Sequence, residues 1–227
     1  MGQVRDQRGD HIRNQSDDQS PDESTRKETS MQDSILQEGI NEVIGTTHLN
    51  AAPMGIILRG GRHTLALFKR SHTAANIVRD GWFVANLIHD PVIYVESAFG
   101  DLPVDAFTTE TIDGTPMHRL AAAEAWVAFR AEVIGESSEA YSILLTPIKE
   151  EVLVRSIRPV NRGFNAIIEA AVHATRYIMN HDPELEWLIR HHLALARKCG
   201  GEREKEAAGM VEGLLEFKRN DEKVKLM

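Results

Sequence analysis

Residues 39–88 read GINEVIGTTHLNAAPMGIILRGGRHTLALFKRSHTAANIVRDGWFVANLI, and this stretch decides the fold. It contains three extended apolar segments, then a short polar helix, then a fourth extended segment. Gly60-Gly61 separates the second and third segments and is a strong hairpin signal. Pro53 cannot donate to a sheet ladder, so the second strand is expected to begin at an edge or a bulge. The pattern predicts sequential antiparallel strands in a curved sheet.

The next part of the chain predicts further strands. Residues 91–99 fit a helix or a strand, while residues 101–116 are rich in Asp, Thr, Pro and Gly and predict a long loop. Residues 125–133 alternate with a period of two, and residues 140–147 and 151–157 predict two more strands. A total of about seven strands with one small helix is typical of an antiparallel barrel.

After residue 161 the apolar period becomes helical. Apolar residues of 164–179 fall on one helical face. Asp182-Pro183 predicts the N-cap and first residue of a second helix, which Gly200-Gly201 ends. Residues 202–217 predict a third helix. The expected fold class is therefore α+β and mainly β, an antiparallel split barrel with a C-terminal helical segment.

Composition divides the chain into three segments: 1–33, 34–160 and 161–227. The first segment has no aromatic residue and only two β-branched aliphatic ones, Val4 and Ile12. Such a segment cannot bury enough surface to offset its ordering entropy, so it is expected to be a disordered arm. The alternative is an arm that folds on a partner. The second segment is the expected barrel and the third the helical part packed on it.

The net charge of −8 gives no general attraction to nucleic acid or to an anionic membrane. A single cysteine, Cys199, excludes an intrachain disulfide and a multi-cysteine zinc site. No apolar run is long enough to span a bilayer, and the N-terminus lacks a signal-peptide core, so a soluble cytoplasmic protein is expected. The ten histidines form no HExxH-like pairing, and adjacent His191 and His192 would diverge on a helix, so no metal is expected.

Residues 69–76, here called the phosphate segment, carry the best-specified chemistry. Lys69, Arg70, Ser71 and Thr73 supply two cations and two hydroxyls at a predicted helix N-terminus, with Thr73 as the N-cap of a helix over 74–80. The first N–H groups of a helix and these charges together bind phosphate monoesters well. The alternative is that Thr73 only caps its helix and the cations are solvated.

Residues 50–55 read NAAPMG and are called the NAAPMG segment. Its small residues would let backbone amides and carbonyls meet the edge of a planar ring. The alternative is close packing at a barrel corner. No Gly-x-Ser-x-Gly elbow, Walker loop or dinucleotide-binding glycine fingerprint occurs, which argues against a nucleophilic hydrolase and fits a protein whose cofactor carries the chemistry.

Five motifs occur along the chain in this order: INEVIGTT (40–47), NAAPMG (50–55), Ser71-x-Thr73-x-x-Asn76-Ile77, GWFVAN (81–86) and IIEAAVHATR (167–176). With these motifs the chain resembles the FMN-binding split barrel of the flavin reductase-like proteins. Within that superfamily it is most similar to the archaeal group known as domain of unknown function 447, over about residues 37–200.

The resemblance implies a homodimer with FMN near the subunit interface. It implies that Arg70, Ser71, Thr73 and Asn76 contact the FMN phosphate, beside Lys69. The backbone of the NAAPMG segment would lie along the isoalloxazine, through Asn50, Ala51, Ala52, Met54 and Gly55. Asn86 matches a structural position more than a ligand.

Three functions are compatible with these observations. The first is an FMN-dependent oxidoreductase, a flavin reductase or a reductase that takes electrons from a nicotinamide or deazaflavin donor. The second is a non-catalytic FMN-binding protein for storage or electron relay. The third is a split-barrel interaction scaffold whose cofactor site is empty or holds haem.

Overall fold

The computed structural model describes residues 34–225, with side chains over residues 34–217. The disorder predicted for residues 1–33 lies outside this range. From Ile35 onward the chain forms one compact unit. The strands and helices, in chain order, are β1 Gly39–Thr47, β2 Asn50–Arg59, β3 Arg62–Phe68, α1 His72–Asp80, β4 Trp82–Leu87, α2 Pro91–Phe99, β5 Phe107–Ile112, β6 Thr115–Leu120, β7 Ala125–Glu136, β8 Ala140–Val152, α3 Arg162–Asn180, α4 Pro183–Cys199 and α5 Glu202–Lys225.

Six strands close into an antiparallel barrel in the order β1-β2-β3-β8-β7-β4. The predicted antiparallel barrel is therefore confirmed. Gly60 and Gly61 have positive φ angles of 56° and 75° and form the expected turn between β2 and β3. Pro53 lies in the half of β2 that pairs only with β1, because β3 pairs with β2 from Ile57 onward. Proline thus occupies a position where one neighbouring ladder is absent.

The two faces of each strand have different partners, as the period of two requires. Inward-facing side chains fill the barrel, and those with no or almost no exposed surface include Val43, Ile56, Phe83, Phe129, Ile143 and Leu145. Such an interior is a packed core with no room for a flavin. Any cofactor must therefore bind outside the barrel.

Helix α1 packs against one part of this core through Ala74 and Ile77, which are buried with the inward-facing side chains. Gly81 ends the helix in the left-handed conformation, with φ 68°, and its N–H bonds the Ile77 carbonyl. The helix therefore ends at Asp80, as the sequence predicts. The N-cap is Ser71, whose side chain accepts from the Ala74 N–H, so the prediction that Thr73 caps the helix is wrong. Both Ser71 and Thr73 carry a hydroxyl that can cap a helix. Because Ser71 is the one used, the helix begins at His72, two residues earlier than predicted.

The outer face of the barrel is covered by two groups of elements. The β5–β6 hairpin packs with outward-facing side chains of β4 and β7, around Trp126 and Met117. Helices α2, α3, α4 and α5 share a separate apolar cluster with Ile167, Ile189 and Val211 fully buried. Side chains of α3 join the cluster around Ile44 of β1, so the described C-terminal helices contact the barrel.

Two predictions about the middle of the chain are wrong. Residues 101–116, predicted as a loop, contain a short 3-10 helix over Val104–Ala106, all of β5 and the start of β6. Asp113 and Gly114 have φ angles of 50° and 78° and form the tight turn that Asp-Gly sequences favour. Residues 140–152 are one strand with irregular pairing to β7 rather than two, and residues 153–157 are not a strand.

Candidate functional site

The β1–β2 turn and helix α1 form the candidate site. Thr47 and Asn50 are the last cross-strand pair before a two-residue turn. The Asn50 Nδ2 group donates to Thr73 Oγ1 at 3.0 Å. One helical turn later, Asn76 Nδ2 donates to Thr47 Oγ1 at 3.1 Å and to the Thr47 carbonyl at 3.4 Å. These bonds hold the NAAPMG segment against the phosphate segment, which the sequence had only placed near each other along the chain.

The first turn of α1 is open to a ligand. The first N–H groups of a helix have no intrahelical partners, and Ser71 Oγ satisfies only that of Ala74, at 3.1 Å. The N–H groups of His72 and Thr73 remain available, and the helix dipole adds a partial positive charge beside them. The Thr73 side chain is buried, so its hydroxyl shapes the site through Asn50 more than it is presented to solvent.

The two cations of the phosphate segment differ in their surroundings. Arg70 is exposed and forms no ion pair within residues 34–217, which leaves its guanidinium free for a bidentate contact to phosphate. Lys69 Nζ lies 2.9 Å from Glu136 Oε2 and 5.1 Å from the centre of the Tyr141 ring. The Lys69 charge is therefore shared with the β7–β8 hairpin.

The NAAPMG segment is half-buried along its whole length. Ala51 packs in the outer cluster around Ile44, and Met54 packs on the barrel core. A side chain at Gly55 would meet Ile40 Cγ2 at 2.8 Å, so close packing accounts for that glycine. Ala52 pairs with Gly45 of β1. A Cβ added at Gly45 would lie 2.4 Å from the Phe83 ring. Small residues here let β1 and β2 pack closely over the core, and one backbone edge of this part of β2 stays without a ladder because β3 pairs with it only from Ile57 onward.

Two residues of the site, Thr47 and His48, were not among the predicted ligands. His48 has a left-handed backbone with φ 53° and its Nε2 lies 2.6 Å from Asp80 Oδ2. Its ring centre lies 5.4 Å from that of Trp82 and 6.2 Å from that of His118. Nothing in the sequence showed that the C-terminal end of α1 would meet the β1–β2 turn.

At the C-terminal end of α1, the negative charge of Asp80 is paired with Arg79 and His48. Hydrogen bonds from Arg79 and then from His48 hold the pKa of Asp80 below its ordinary value. Burial, with His48 nearby, lowers the pKa of His118, so that imidazole favours its neutral form. Arg79 also donates to Asn76 Oδ1 at 3.1 Å, which fixes the asparagine that holds Thr47. The free positive charge of the site thus lies at the N-terminus of α1.

The residues present fit a phosphate monoester attached to a flat, mostly apolar group. The phosphate would be held by the open N–H groups of α1, by Arg70 and by the Ser71 hydroxyl. The flat group would run along the accessible backbone of the NAAPMG segment. FMN has this combination of parts.

The fold defines a closed antiparallel barrel of six strands followed by a C-terminal helical segment. The chain belongs to the family described as protein of unknown function (DUF447): residues 41–154 match the model of its N-terminal domain and residues 161–213 match a second model of the same family. An FMN-bound protein of this family from Methanosarcina mazei has a similar structure, with a TM-score of 0.75 and 35% sequence identity over 78% of this chain and 96% of that one.

Two further solved structures share less with this chain. The NADH:FAD oxidoreductase of Streptomyces globisporus is 12% identical over 51% of this chain and 75% of that one, with a TM-score of 0.38. The 2-nitrobenzoate 2-nitroreductase of Pseudomonas fluorescens is 15% identical over 52% of this chain and 66% of that one, with a TM-score of 0.41. In the part of the chain that the structure describes, no helix combines the length and apolar character needed to cross a membrane.

Proposed function

We propose that this protein binds FMN at the N-terminus of α1 and works as a flavin-dependent oxidoreductase with a nicotinamide or deazaflavin donor. The observation that carries the proposal is the 35% identity to an FMN-bound member of the same family, over 96% of that protein. The open helix N-terminus and the NAAPMG backbone support it independently, as does Arg70, which has no ion-pair partner within residues 34–217. Bound FMN would supply a redox centre for electron transfer, which explains why the described site needs no nucleophile.

The protein's own part is binding and orientation. Ser71 and the first N–H groups of α1 would fix the phosphate, and the Asn50–Thr73 and Asn76–Thr47 bonds would fix the distance between phosphate and ring sites. Thr47 and Thr73, which accept these hydrogen bonds, are buried, so the β1–β2 turn has little conformational freedom. We also propose that residues 34–160 carry the flavin site and that the segment from 161 onward supports it.

The assembly proposed for this function is a homodimer. The segment between β8 and α3 exposes large apolar side chains, with Ile157 and Val160 among the most exposed in the described chain. A second copy of the chain is the proposed cover, with FMN near that interface. Light scattering during gel filtration gives the mass, and a monomer at micromolar concentration would contradict the dimer.

FMN binding is tested on the purified protein by its visible spectrum and by mass analysis of what heat releases. Titration of the flavin-free protein, followed by quenching of FMN fluorescence, gives the affinity. We expect Arg70→Ala to weaken binding by about 1.5–3 kcal/mol, the usual contribution of a hydrogen bond to a charged group. Arg62→Ala is the matched control, because Arg62 is an exposed arginine at the β2–β3 turn, the opposite end of β2 from Asn50. Equal affinities of the two variants would move the phosphate site elsewhere.

Catalysis is tested separately by stopped-flow reduction of the bound FMN. Rapid reduction of the bound FMN by NADH, NADPH or a reduced deazaflavin supports the proposal that the protein is an oxidoreductase. Bound FMN that none of these donors reduces would favour the second candidate, a non-catalytic electron-relay protein. No binding of FMN would favour the scaffold.

A further inference from the structure

A second cluster of chemically active side chains lies in the C-terminal helices, away from the β1–β2 turn. Glu169 and His173 stand one helical turn apart on α3, and His192 faces them from α4. One ligand atom from each of the three side chains lies within 4.8 Å of the other two. The imidazole rings of His173 and His192 are stacked, with centres 5.5 Å apart and planes inclined by 25°.

Both imidazoles carry a buried nitrogen that has no partner among the described residues. The Nδ1 atoms of His173 and His192 are inaccessible to solvent, and neither bonds another described residue. Buried polar atoms nearly always have a partner, so two such atoms on neighbouring rings indicate a missing group. His173 Nε2 also lies 4.0 Å from Glu169 Oε2, which is too long for a hydrogen bond, so this imidazole does not engage the carboxylate.

The chemistry of the three side chains suits a divalent cation. A neutral imidazole has a lone pair to donate, and Glu169 brings a negative charge that a divalent cation would neutralise. The Glu169 side chain is 58% exposed and can swing toward the imidazoles, whereas that of His173 is only 16% exposed and held by packing.

We propose that Glu169, His173 and His192 bind a divalent transition-metal ion such as Zn²⁺, and that this ion links α3 to α4. Two imidazoles and a carboxylate are ligands that zinc prefers. Around a tetrahedral ion with bonds of about 2.1 Å, ligand atoms are about 3.4 Å apart. The observed ligand atoms lie within 4.8 Å of one another, so metal binding would shorten their spacing by up to about 1.4 Å. Three protein ligands leave the fourth position to water or another small ligand, as in catalytic zinc sites.

The test uses the full, untagged, FMN-loaded protein. Zn²⁺ binding is measured by competition with a chromophoric chelator, and Co²⁺ absorption reports the coordination. We expect one tight Zn²⁺ per chain. Glu169→Gln and His192→Gln are each expected to weaken binding by more than about 10-fold, since loss of a direct ligand costs at least as much as loss of a ligand's hydrogen-bond partner.

His191→Gln is the matched control. His191 is adjacent to His192 on the same helix and meets its ring edge-on, but it is exposed, stacks on Trp187 and is not one of the three proposed ligands. Unchanged Zn²⁺ affinity in this variant, with tetrahedral Co²⁺ absorption in the wild type, supports the site. Glu169→Gln alters an exposed side chain, so it tests the proposal even if His192→Gln fails to fold. Absence of tight Zn²⁺ binding by the wild type, or equal losses in the control and ligand variants, would overturn it.

Discussion

Replacing Asn86 with alanine should destabilise the protein more than any other single asparagine change at a described hydrogen-bonded site. Asn86 is fully buried on the outer face of β4. Its Nδ2 group donates to the Ile44 carbonyl at 2.8 Å and to Thr46 Oγ1 at 3.1 Å. Its Oδ1 accepts from the Leu120 N–H at 2.7 Å. One side chain thus joins β4 to β1 and to the β5–β6 hairpin.

The magnitude follows from the groups left without a partner. Each buried polar group that loses its partner costs about 1–3 kcal/mol. The Leu120 N–H and the Ile44 carbonyl both lose a bond in Asn86→Ala, and the smaller side chain leaves a small void. We therefore expect a loss of about 3–5 kcal/mol in the free energy of unfolding, a large part of a domain's typical stability.

Urea unfolding of the flavin-free protein, followed by tryptophan fluorescence, measures this loss. The flavin-free form is needed because a ligand that binds only the folded state raises apparent stability. Asn41→Ala is the matched control: Asn41 also bonds through both side-chain groups, to Gln37 at 2.7 Å and 3.0 Å, but at the surface. It should cost less than about 1 kcal/mol. Equal losses of unfolding free energy in the two variants, with unchanged denaturant slopes, would refute the conclusion that the buried bonds of Asn86 stabilise the fold.

Three further changes have defined outcomes. Gly45→Ala places a Cβ 2.4 Å from the ring of Phe83, which is fully buried, so thermal and urea unfolding should show a loss of about 1–3 kcal/mol. Gly209→Ala meets no atom within 4 Å in the middle of α5 and should stabilise by about 0.5–1 kcal/mol; a loss would mean that the glycine has a packing role. Burial holds the pKa of His63 below its ordinary 6.5, so as the pH falls below about 6.5 the unfolded state takes up the proton first and stability decreases. His63→Gln should reduce the difference in unfolding free energy between about pH 7.5 and pH 5.5, and an unchanged difference would assign the pH dependence to other groups.

Local signals in the sequence were reliable where one residue type decides the backbone. Gly60-Gly61, Gly81 and Pro183 each stand where the structure has a hairpin turn, a helix end and a helix start. They succeed because a positive φ or a missing N–H restricts the chain without help from distant residues. The helical period of α3 and the strand period of β7 were equally readable, since each buries one face.

Signals failed where two local choices were nearly equal. Ser71 and Thr73 can both cap a helix, and the structure uses Ser71 because Thr73 is engaged by Asn50. Residues 101–116 have a loop-like composition, yet pairing with β6 and packing on the outer barrel make β5 a strand. Neither outcome is decided within the segment itself.

The sequence by itself determined the barrel class, the helical C-terminal part and the position of the segment for which we propose phosphate binding. Only the tertiary structure decided which cation stays free, because the neighbour of Lys69, Glu136, is far along the chain. The same holds for the Asn76–Thr47 bond and for the meeting of His173 with His192. Propensity and periodicity act over a few residues, whereas these contacts depend on how closed strands and packed helices bring distant residues together.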